Sequence, residues 1–241
     1  MLILAFDTSG FGGSVALLEG ERVLVERQLD ANRRSAQTLA PATAEALSEA
    51  GVRPADVRLV ATTIGPGSFT GLRVGVTAAK SFAYAARCDV IGLNTLDVIA
   101  AQVPADFLPS PFVGEGSGVR GSDSPDYEIH AILDAQRKEL FLARFRPAAA
   151  GPERLAEDTI IAAQSWLDPL RPGTIVTGPG LHKLESLLPP GVIAAPQPLR
   201  EPRAATAGAA AWREYQRGRR DDLWRLAPAY GRPSYAEERR P

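Results

Sequence analysis

The chain has 241 residues, of which 45% are hydrophobic and 23% are charged. This is ordinary globular composition, and the length exceeds one simple domain but falls short of two full ones. With 27 basic and 28 acidic residues the formal net charge is −1, which excludes a grip on nucleic acid by overall charge. The single cysteine, Cys88, excludes a disulfide framework, and the two histidines, His130 and His182, are too far apart for a histidine-spaced metal motif.

Membrane and export segments are not indicated by the sequence. No apolar run approaches the roughly 20 residues that cross a bilayer. The opening residues 1–10 have no basic n-region and are typical of a strand rather than a signal peptide. The sequence therefore predicts a soluble cytoplasmic protein without a membrane partner.

The first hundred residues have the pattern of a mixed α/β unit, in the order strand, strand, strand, helix, strand, helix, strand, helix. Because the first three strands have short connections, which cannot make a parallel crossover, we expect an antiparallel meander. The predicted strands are residues 2–6, 14–18, 22–28, 57–64 and 89–92, and the predicted helices are 35–50, 70–87 and 95–103. Pro41 lies inside the first helix and is harmless only if that helix begins at Thr38, since amides of a first turn lack partners anyway.

The rest of the chain is predicted to open a second sheet. Residues 104–125 carry Pro, Gly and Ser without periodicity, which is typical of a loop. A hairpin with strands at 128–134 and 139–145 follows, then a strand at 174–177 and an alanine-rich helix at 204–217. We expect a first lobe at residues 1–103 and a second lobe at residues 126–241, which includes this helix and a polar tail.

Two glycine-rich turns could carry chemistry. Asp7, Thr8 and Ser9 follow the first strand, where a carboxylate and two hydroxyls suit a phosphate and its hydrated metal ion, although ordinary turns use the same residue types. Residues 65–73, with the sequence GPGSFTGLR, connect a strand to a helix, whose first amides favour anions. Their spacing matches neither the P-loop nor the dinucleotide fingerprint, so a plain strand-to-helix turn stays an equal alternative.

The second helix carries a ridge of small residues at every fourth position, namely Gly71, Gly75, Ala79 and Ala83. A glycine inside a helix costs roughly 1 kcal/mol relative to alanine, so two of them in one ridge indicate a closely packed neighbour. That neighbour is either the chain's own sheet or first helix, or another subunit.

Several segments in order resemble the TsaB family of bacteria. They are ILAFDTS with SVAL, GPGSFTGLRVG, IGLNTLD and AILDAQRKELF. The resemblance implies an α/β fold of the actin and sugar-kinase ATPase type, built on a ribonuclease H-like motif, with one complete lobe and a reduced second lobe. It also implies a non-catalytic subunit that binds TsaD, together with TsaE, in forming threonylcarbamoyladenosine beside the anticodon of tRNAs that read codons starting with A.

The resemblance also implies a set of site residues, none of them catalytic. The implied degenerate phosphate-loop positions are Asp7, Thr8, Ser9, Gly65 and Gly67. The implied partner interface consists of Leu39, Thr43, Leu47, Gly71, Arg73, Gly75, Ala79 and Ala83, so the small-residue ridge is expected to face TsaD.

No metal is expected, because the chain lacks the His-x-x-x-His pair of the catalytic paralogue. No cofactor is expected either, except for a nucleotide at a subunit boundary in the complex. The resemblance implies a homodimer when TsaD is absent, and tRNA contact mainly through the complex.

Two other functions stay open. An ATP-dependent small-molecule kinase of the same fold would need an intact nucleotide cleft and a catalytic carboxylate. A peptidase is the third reading, and the missing His-x-x-x-His pair argues against a metalloprotease.

Overall fold

The computed structural model describes residues 1–104, 107, 127–148 and 151–232. Apart from residues 104 and 107, the predicted loop at 104–125 lies outside the described residues, as does the predicted tail from residue 233 onward. The chain forms two units, the first from Met1–Val98 with Glu201–Pro241 and the second from Ile99–Arg200.

A five-stranded sheet organises the first unit. Its strands are β1 (Leu2–Asp7), β2 (Ser14–Glu19), β3 (Arg22–Gln28), β4 (Val57–Gly65) and β5 (Asp89–Asn94), in the order β3-β2-β1-β4-β5. β1, β2 and β3 pair antiparallel, which confirms the predicted meander. β4 and β5 join the sheet in parallel beside β1. The carboxyl ends of β1 and β4 therefore meet at one edge of the sheet, where both glycine-rich turns begin.

Helices cover both faces of this sheet, because successive side chains of a strand point to opposite faces. Leu4 and Phe6 of β1 pack in one core with α1 (Ser35–Glu49) and α2 (Phe69–Ala86). Ile3 and Ala5 pack in a second core with α6 (Ala204–Gln216). A short helix, α3 (Thr95–Ala100), follows β5, so the predicted order of the first eight elements is confirmed.

α1 begins at Ser35, as predicted, so Pro41 lies beyond the first turn. The helix nevertheless continues to Glu49. α2 begins at Phe69, one residue before the predicted start, and its cap is Ser68, whose hydroxyl accepts a hydrogen bond from the Gly71 amide at 3.2 Å.

The placement of α6 in the second lobe is wrong, because this helix packs on the sheet of the first unit. Ala204, Ala207, Gly208 and Ala211 form its buried face. Two side chains from the meander satisfy its first amides, since the Ala204 amide donates to Ser14 Oγ at 2.8 Å and the Ala205 amide donates to Glu26 Oε1 at 3.0 Å. Glu26 also pairs with Arg203, and its side chain is only 8% exposed.

The second unit contains a sheet in the order β11-β10-β6-β7-β8, with β9 paired to β7. Its elements are β6 (Ile129–Asp134), β7 (Glu139–Arg146), β8 (Glu153–Arg154), β9 (Thr159–Ala162), α4 (Ala163–Leu167), β10 (Ile175–Thr177), α5 (Leu181–Leu184) and β11 (Ile193–Ala194). The predicted hairpin is confirmed as β6 and β7, and the predicted strand at 174–177 as β10. Sequence analysis missed β8, β9, α4, α5 and β11, because segments of two to five residues carry too little periodicity. Among the described residues, no helix has both the length and the apolar character that crossing a bilayer requires.

We expect Glu26→Gln to lower the free energy of unfolding by about 1–2 kcal/mol, because it removes a nearly buried charge that pairs with Arg203 and caps α6. Urea denaturation followed by circular dichroism measures the change. The matched control is Glu19→Gln, whose exposed pair with Arg22 contributes no measurable stability. Equal effects of the two substitutions would contradict this capping role.

Candidate functional site

The loop that follows β1 holds a buried carboxylate. Asp7 is only 1% exposed, and its Oδ1 accepts hydrogen bonds from Ser9 Oγ at 2.7 Å and Thr63 Oγ1 at 2.8 Å. Its Oδ2 has no hydrogen-bond partner among the described residues. Burial raises the pKa of Asp7 from its ordinary value of 3.8 to about 6; the hydrogen bonds from Ser9 and Thr63 oppose this rise, while the Glu201 charge adds to it.

The N-terminus of α2 packs directly on this loop. Thr8 Oγ1 donates to the Gly71 carbonyl at 2.7 Å, and the Ser68 amide donates to the Ser9 carbonyl at 2.8 Å. A Cβ at Gly67 would lie 2.6 Å from the Ser9 carbonyl oxygen, and one at Gly71 would overlap the Thr8 carbonyl oxygen. The two predicted turns therefore meet, as their places at neighbouring strand ends require.

The fold class implies a nucleotide phosphate at this loop, and the residues present do not fit one. The Thr8 hydroxyl is engaged by Gly71, and the Ser9 hydroxyl is engaged by Asp7. Both groups would have to break these buried bonds before they could meet a phosphate. Among the described residues there is also no group of three His, Cys, Asp or Glu side chains placed to hold a metal ion.

The predicted orientation of the small-residue ridge toward a partner is wrong. Gly71, Gly75, Ala79 and Ala83 are buried inside the first unit. A Cβ at Gly75 would overlap Thr8 Oγ1 and approach Thr62 Oγ1 to 3.2 Å, while Ala79 and Ala83 belong to the core shared with Leu4 and Phe6. The close neighbour indicated by Gly71 and Gly75 is therefore the chain's own sheet and the loop after β1.

An apolar groove lies instead on another side of α2, between this helix and α1. Its volume is about 710 Å³, and its lining contains no charged side chain. Phe6, Leu39 and Leu47 are buried, whereas Ala36, Ala40 and Ala44 on α1 are exposed to solvent. The lining residues are Phe6, Ala36, Leu39, Ala40, Thr43, Ala44, Leu47, Ser48, Val52, Pro54, Val74, Ala78, Ser81 and Phe82. Three of the predicted interface residues, Leu39, Thr43 and Leu47, thus line this groove.

Arg73, the remaining predicted interface residue, lies outside the groove lining and contacts Tyr230. Residues 219–230, which we call the strap, run along α2 and β5. Arg73 Nε donates to the Tyr230 hydroxyl at 2.8 Å, and its guanidinium lies 4.2 Å from the centre of the Phe69 ring. Phe69 and Tyr230 stack with ring centres 4.5 Å apart.

The strap also covers Gly65, the first glycine of the second glycine-rich turn. The Ala229 amide donates to the Ile64 carbonyl at 2.7 Å, and the Ala229 carbonyl occupies the space that a side chain at Gly65 would need. Leu226 reaches the core and is 8% exposed. Sequence analysis assigned no role to the strap. The sequence signal that could have pointed to one is the segment at residues 227–232, which contains Tyr230.

His130 in β6 of the second unit is a packed histidine, with 8% of its surface exposed. Its Nδ1 accepts a hydrogen bond from Trp166 Nε1 at 3.1 Å, and its Nε2 contacts Glu128 Oε2 at 3.0 Å. Burial lowers the pKa of His130, although Glu128 opposes this. These two contacts hold the ring in a fixed orientation in the second unit.

The fold defines the class of protein. YeaZ from Pseudomonas aeruginosa aligns with 95% of this chain and 99% of its own length, with a TM-score of 0.76 and 23% sequence identity. At this identity the similarity shows the fold alone. It confirms the predicted α/β fold, which this chain shares with YeaZ.

The sequence then defines the family. Residues 29–185, more than half of the chain, match the family model described as "TsaD: tRNA N6-adenosine threonylcarbamoyltransferase", and the chain belongs to this family. The tRNA threonylcarbamoyladenosine biosynthesis protein TsaB of Bacillus subtilis is 27% identical over 171 residues, which are 71% of this chain and 66% of that protein. The protein of the same name from Escherichia coli is 36% identical over 100 residues, 42% of this chain and 43% of that protein. The predicted resemblance to TsaB is thereby confirmed. The chain spans 66% or less of the length of these relatives.

We expect Asp7→Asn to remove a pH dependence of stability. Because the folded-state pKa of Asp7 is raised to about 6, its protonated form stabilises the fold, and this contribution is lost as the pH rises from about 4 through 6. The wild type should therefore lose up to about 3 kcal/mol relative to Asp7→Asn across this interval, since one pKa unit corresponds to about 1.4 kcal/mol. Denaturation of both proteins at a series of pH values measures the difference. A difference that is constant with pH would contradict a raised pKa.

We expect Gly71→Ala to destabilise the protein by about 3 kcal/mol, because the new methyl group overlaps the backbone of Thr8. The direction of the stability change identifies the close contact, because replacing glycine by alanine stabilises an ordinary helix position. Gly12→Ala is the control, because no atom lies within 4 Å of its Cβ position, and its effect should stay within about 0.5 kcal/mol. Thermal denaturation compares the two variants, and a stable Gly71→Ala protein would disprove the close approach.

Proposed function

We propose that the chain is a non-catalytic subunit of a tRNA-modifying complex. In this proposal it binds a TsaD-type transferase, which acts together with a TsaE-type ATPase to form threonylcarbamoyladenosine in tRNA. The TsaB relatives, whose names describe biosynthesis of this nucleoside, support the pathway. The observation that carries the role of the chain is the apolar groove between α1 and α2.

The groove has the properties of a surface that receives helices. A partner helix binds in such a groove by laying its apolar face against a concave apolar lining that contains no charged side chain. Ala40, Ala44 and Ala78 keep the rims low, so a partner helix can approach closely and place larger side chains against Phe6 and Phe82. We assign the groove to the paired helices of a TsaD-type partner, and to a second copy of this chain when that partner is absent.

The loop after β1 supports a subunit that performs no chemistry. Its hydroxyls are used within the fold, and α2 occupies the space beside Thr8 and Ser9. A kinase would need these groups for a nucleotide. Isothermal titration with ATP and magnesium separates the two functions, because heat of binding to the isolated chain would favour the kinase.

Reconstitution tests the proposal itself. The purified chain alone should transfer no threonylcarbamoyl group to tRNA, and it should restore transfer when added to the TsaD-type and TsaE-type proteins of the same organism. Activity of the isolated chain, or full transfer without it, would end the proposal.

We expect Ala40→Arg to weaken binding of the TsaD-type partner at least a hundredfold, because the long charged side chain fills the groove from an exposed position. Size-exclusion chromatography with light scattering measures complex formation, and circular dichroism checks that the variant is folded. Gln216→Arg adds the same charge at an exposed position at the end of α6 and should bind normally. Wild-type binding by Ala40→Arg would place the interface elsewhere.

A further inference from the structure

The flank of α2 opposite the groove exposes an unusual set of aromatic rings. Tyr84 is 66% exposed and Trp224 of the strap is 73% exposed, and their ring centres lie 5.8 Å apart in an edge-to-face arrangement. At the other end of the helix the Phe69 and Tyr230 rings are also partly exposed. Fifteen residues separate Phe69 from Tyr84, so the two pairs are about 22 Å apart along the helix.

Basic side chains lie between and beside these rings. Lys80 donates to the backbone carbonyls of Trp224 and Leu226, at 3.1 and 2.9 Å, and Arg73 donates to the Tyr230 hydroxyl. These neutral acceptors hold the two cations in place without cancelling their charge. We call the surface formed by Phe69, Arg73, Lys80, Tyr84, Trp224 and Tyr230 the strap face.

The charge of the segments that build the strap face differs from that of the chain. α2 and the strap together contain five basic and two acidic residues, a net charge of +3, whereas the whole chain has −1. Both acidic residues have local partners, since Asp221 pairs with Arg219 and Asp222 accepts hydrogen bonds from the amides of Trp224 and Arg225. Asp89, next to these segments, pairs with Arg220. The strap face is therefore complementary to a polyanion.

We propose that the strap face binds single-stranded RNA. Exposed aromatic rings bind unpaired bases by stacking, and arginine or lysine beside them follows the phosphate backbone. Protein interfaces also use Trp and Tyr, but they are depleted in lysine and in charge at their centre, which does not describe this surface. The length of about 22 Å accommodates a few nucleotides, as in the loop of an RNA hairpin.

The strap face and the groove occupy different flanks of α2. Val74, Ala78 and Phe82 line the groove, whereas Arg73, Lys80 and Tyr84 belong to the strap face. RNA and the protein partner can therefore bind together. The inference rests on the proposed function in that it gives this subunit a direct contact with the RNA substrate of the complex.

Fluorescence anisotropy of the full chain with a fluorescein-labelled oligouridylate tests the proposal. The wild type should bind, with an affinity that falls as salt increases. Trp224→Ala should weaken binding about tenfold, and Trp224→Phe should restore most of it because a ring that can stack is retained. Arg225→Glu, next to Trp224 and exposed, should also weaken binding, whereas Arg22→Glu makes the same charge change at the turn between β2 and β3 and should not.

The same variants separate this inference from the proposed function. Ala40→Arg should lose binding of the TsaD-type partner and keep its affinity for RNA. Trp224→Ala should keep binding of the partner and lose affinity for RNA. Wild-type RNA binding by Trp224→Ala, or no RNA binding by the wild type at low salt, would overturn the inference. Loss of the protein partner by Trp224→Ala with unchanged RNA affinity would also overturn it, and would make the strap face a protein interface. If the wild type binds RNA but no TsaD-type partner, the inference that the strap face binds RNA is kept and the proposed function is wrong.

Discussion

The contact between α2 and the loop after β1 constrains the rest of the first unit. The Thr8 hydroxyl bonds to the Gly71 carbonyl, and the absence of side chains at Gly71 and Gly75 lets the helix approach the loop closely. Two glycines in a helix cost roughly 1 kcal/mol each relative to alanine, and the packing that they permit offsets this. Asp7 is buried in the same loop, which raises its pKa, and its Oδ2 has no hydrogen-bond partner in the described part of the chain.

Because the small-residue face of α2 is turned inward, the helix presents its other sides to the surroundings. One flank forms the apolar groove with α1, and the opposite flank carries the strap with its aromatic and basic residues. The loop after β1, whose hydroxyls bond within the fold, thus lies beside two open surfaces. This distribution is consistent with a protein that positions other molecules, and α2 connects both surfaces to one rigid sheet.

The sequence predicted the elements of the first unit well, because a run of alternating or every-fourth apolar residues is a local property. The sequence could not predict which residues pack against each face of these helices and strands. The periodicity of Gly71, Gly75, Ala79 and Ala83 identifies a ridge, but the residues that fill the space beside it, Thr8 and Thr62, are distant in sequence. The same limit applies to α6, which pairs with Ser14 and Glu26 across about 180 residues, and to Tyr84 and Trp224, which come together only in the folded chain. Leu39, Thr43 and Leu47 were placed by resemblance, and the groove that they line is visible only in three dimensions.

The return of α6 to the first sheet affects how the protein emerges from the ribosome. Ile3, Leu18 and Leu59 lie beneath this helix, and the whole second unit is synthesised before it. A nascent chain that has not reached Ala204 therefore has its meander and both groove helices but no cover for the back of its sheet. Exposed apolar surface of this kind is prone to aggregation, and chaperones bind it. The sheet of the first unit is thus completed only by a helix that is made after the whole second unit.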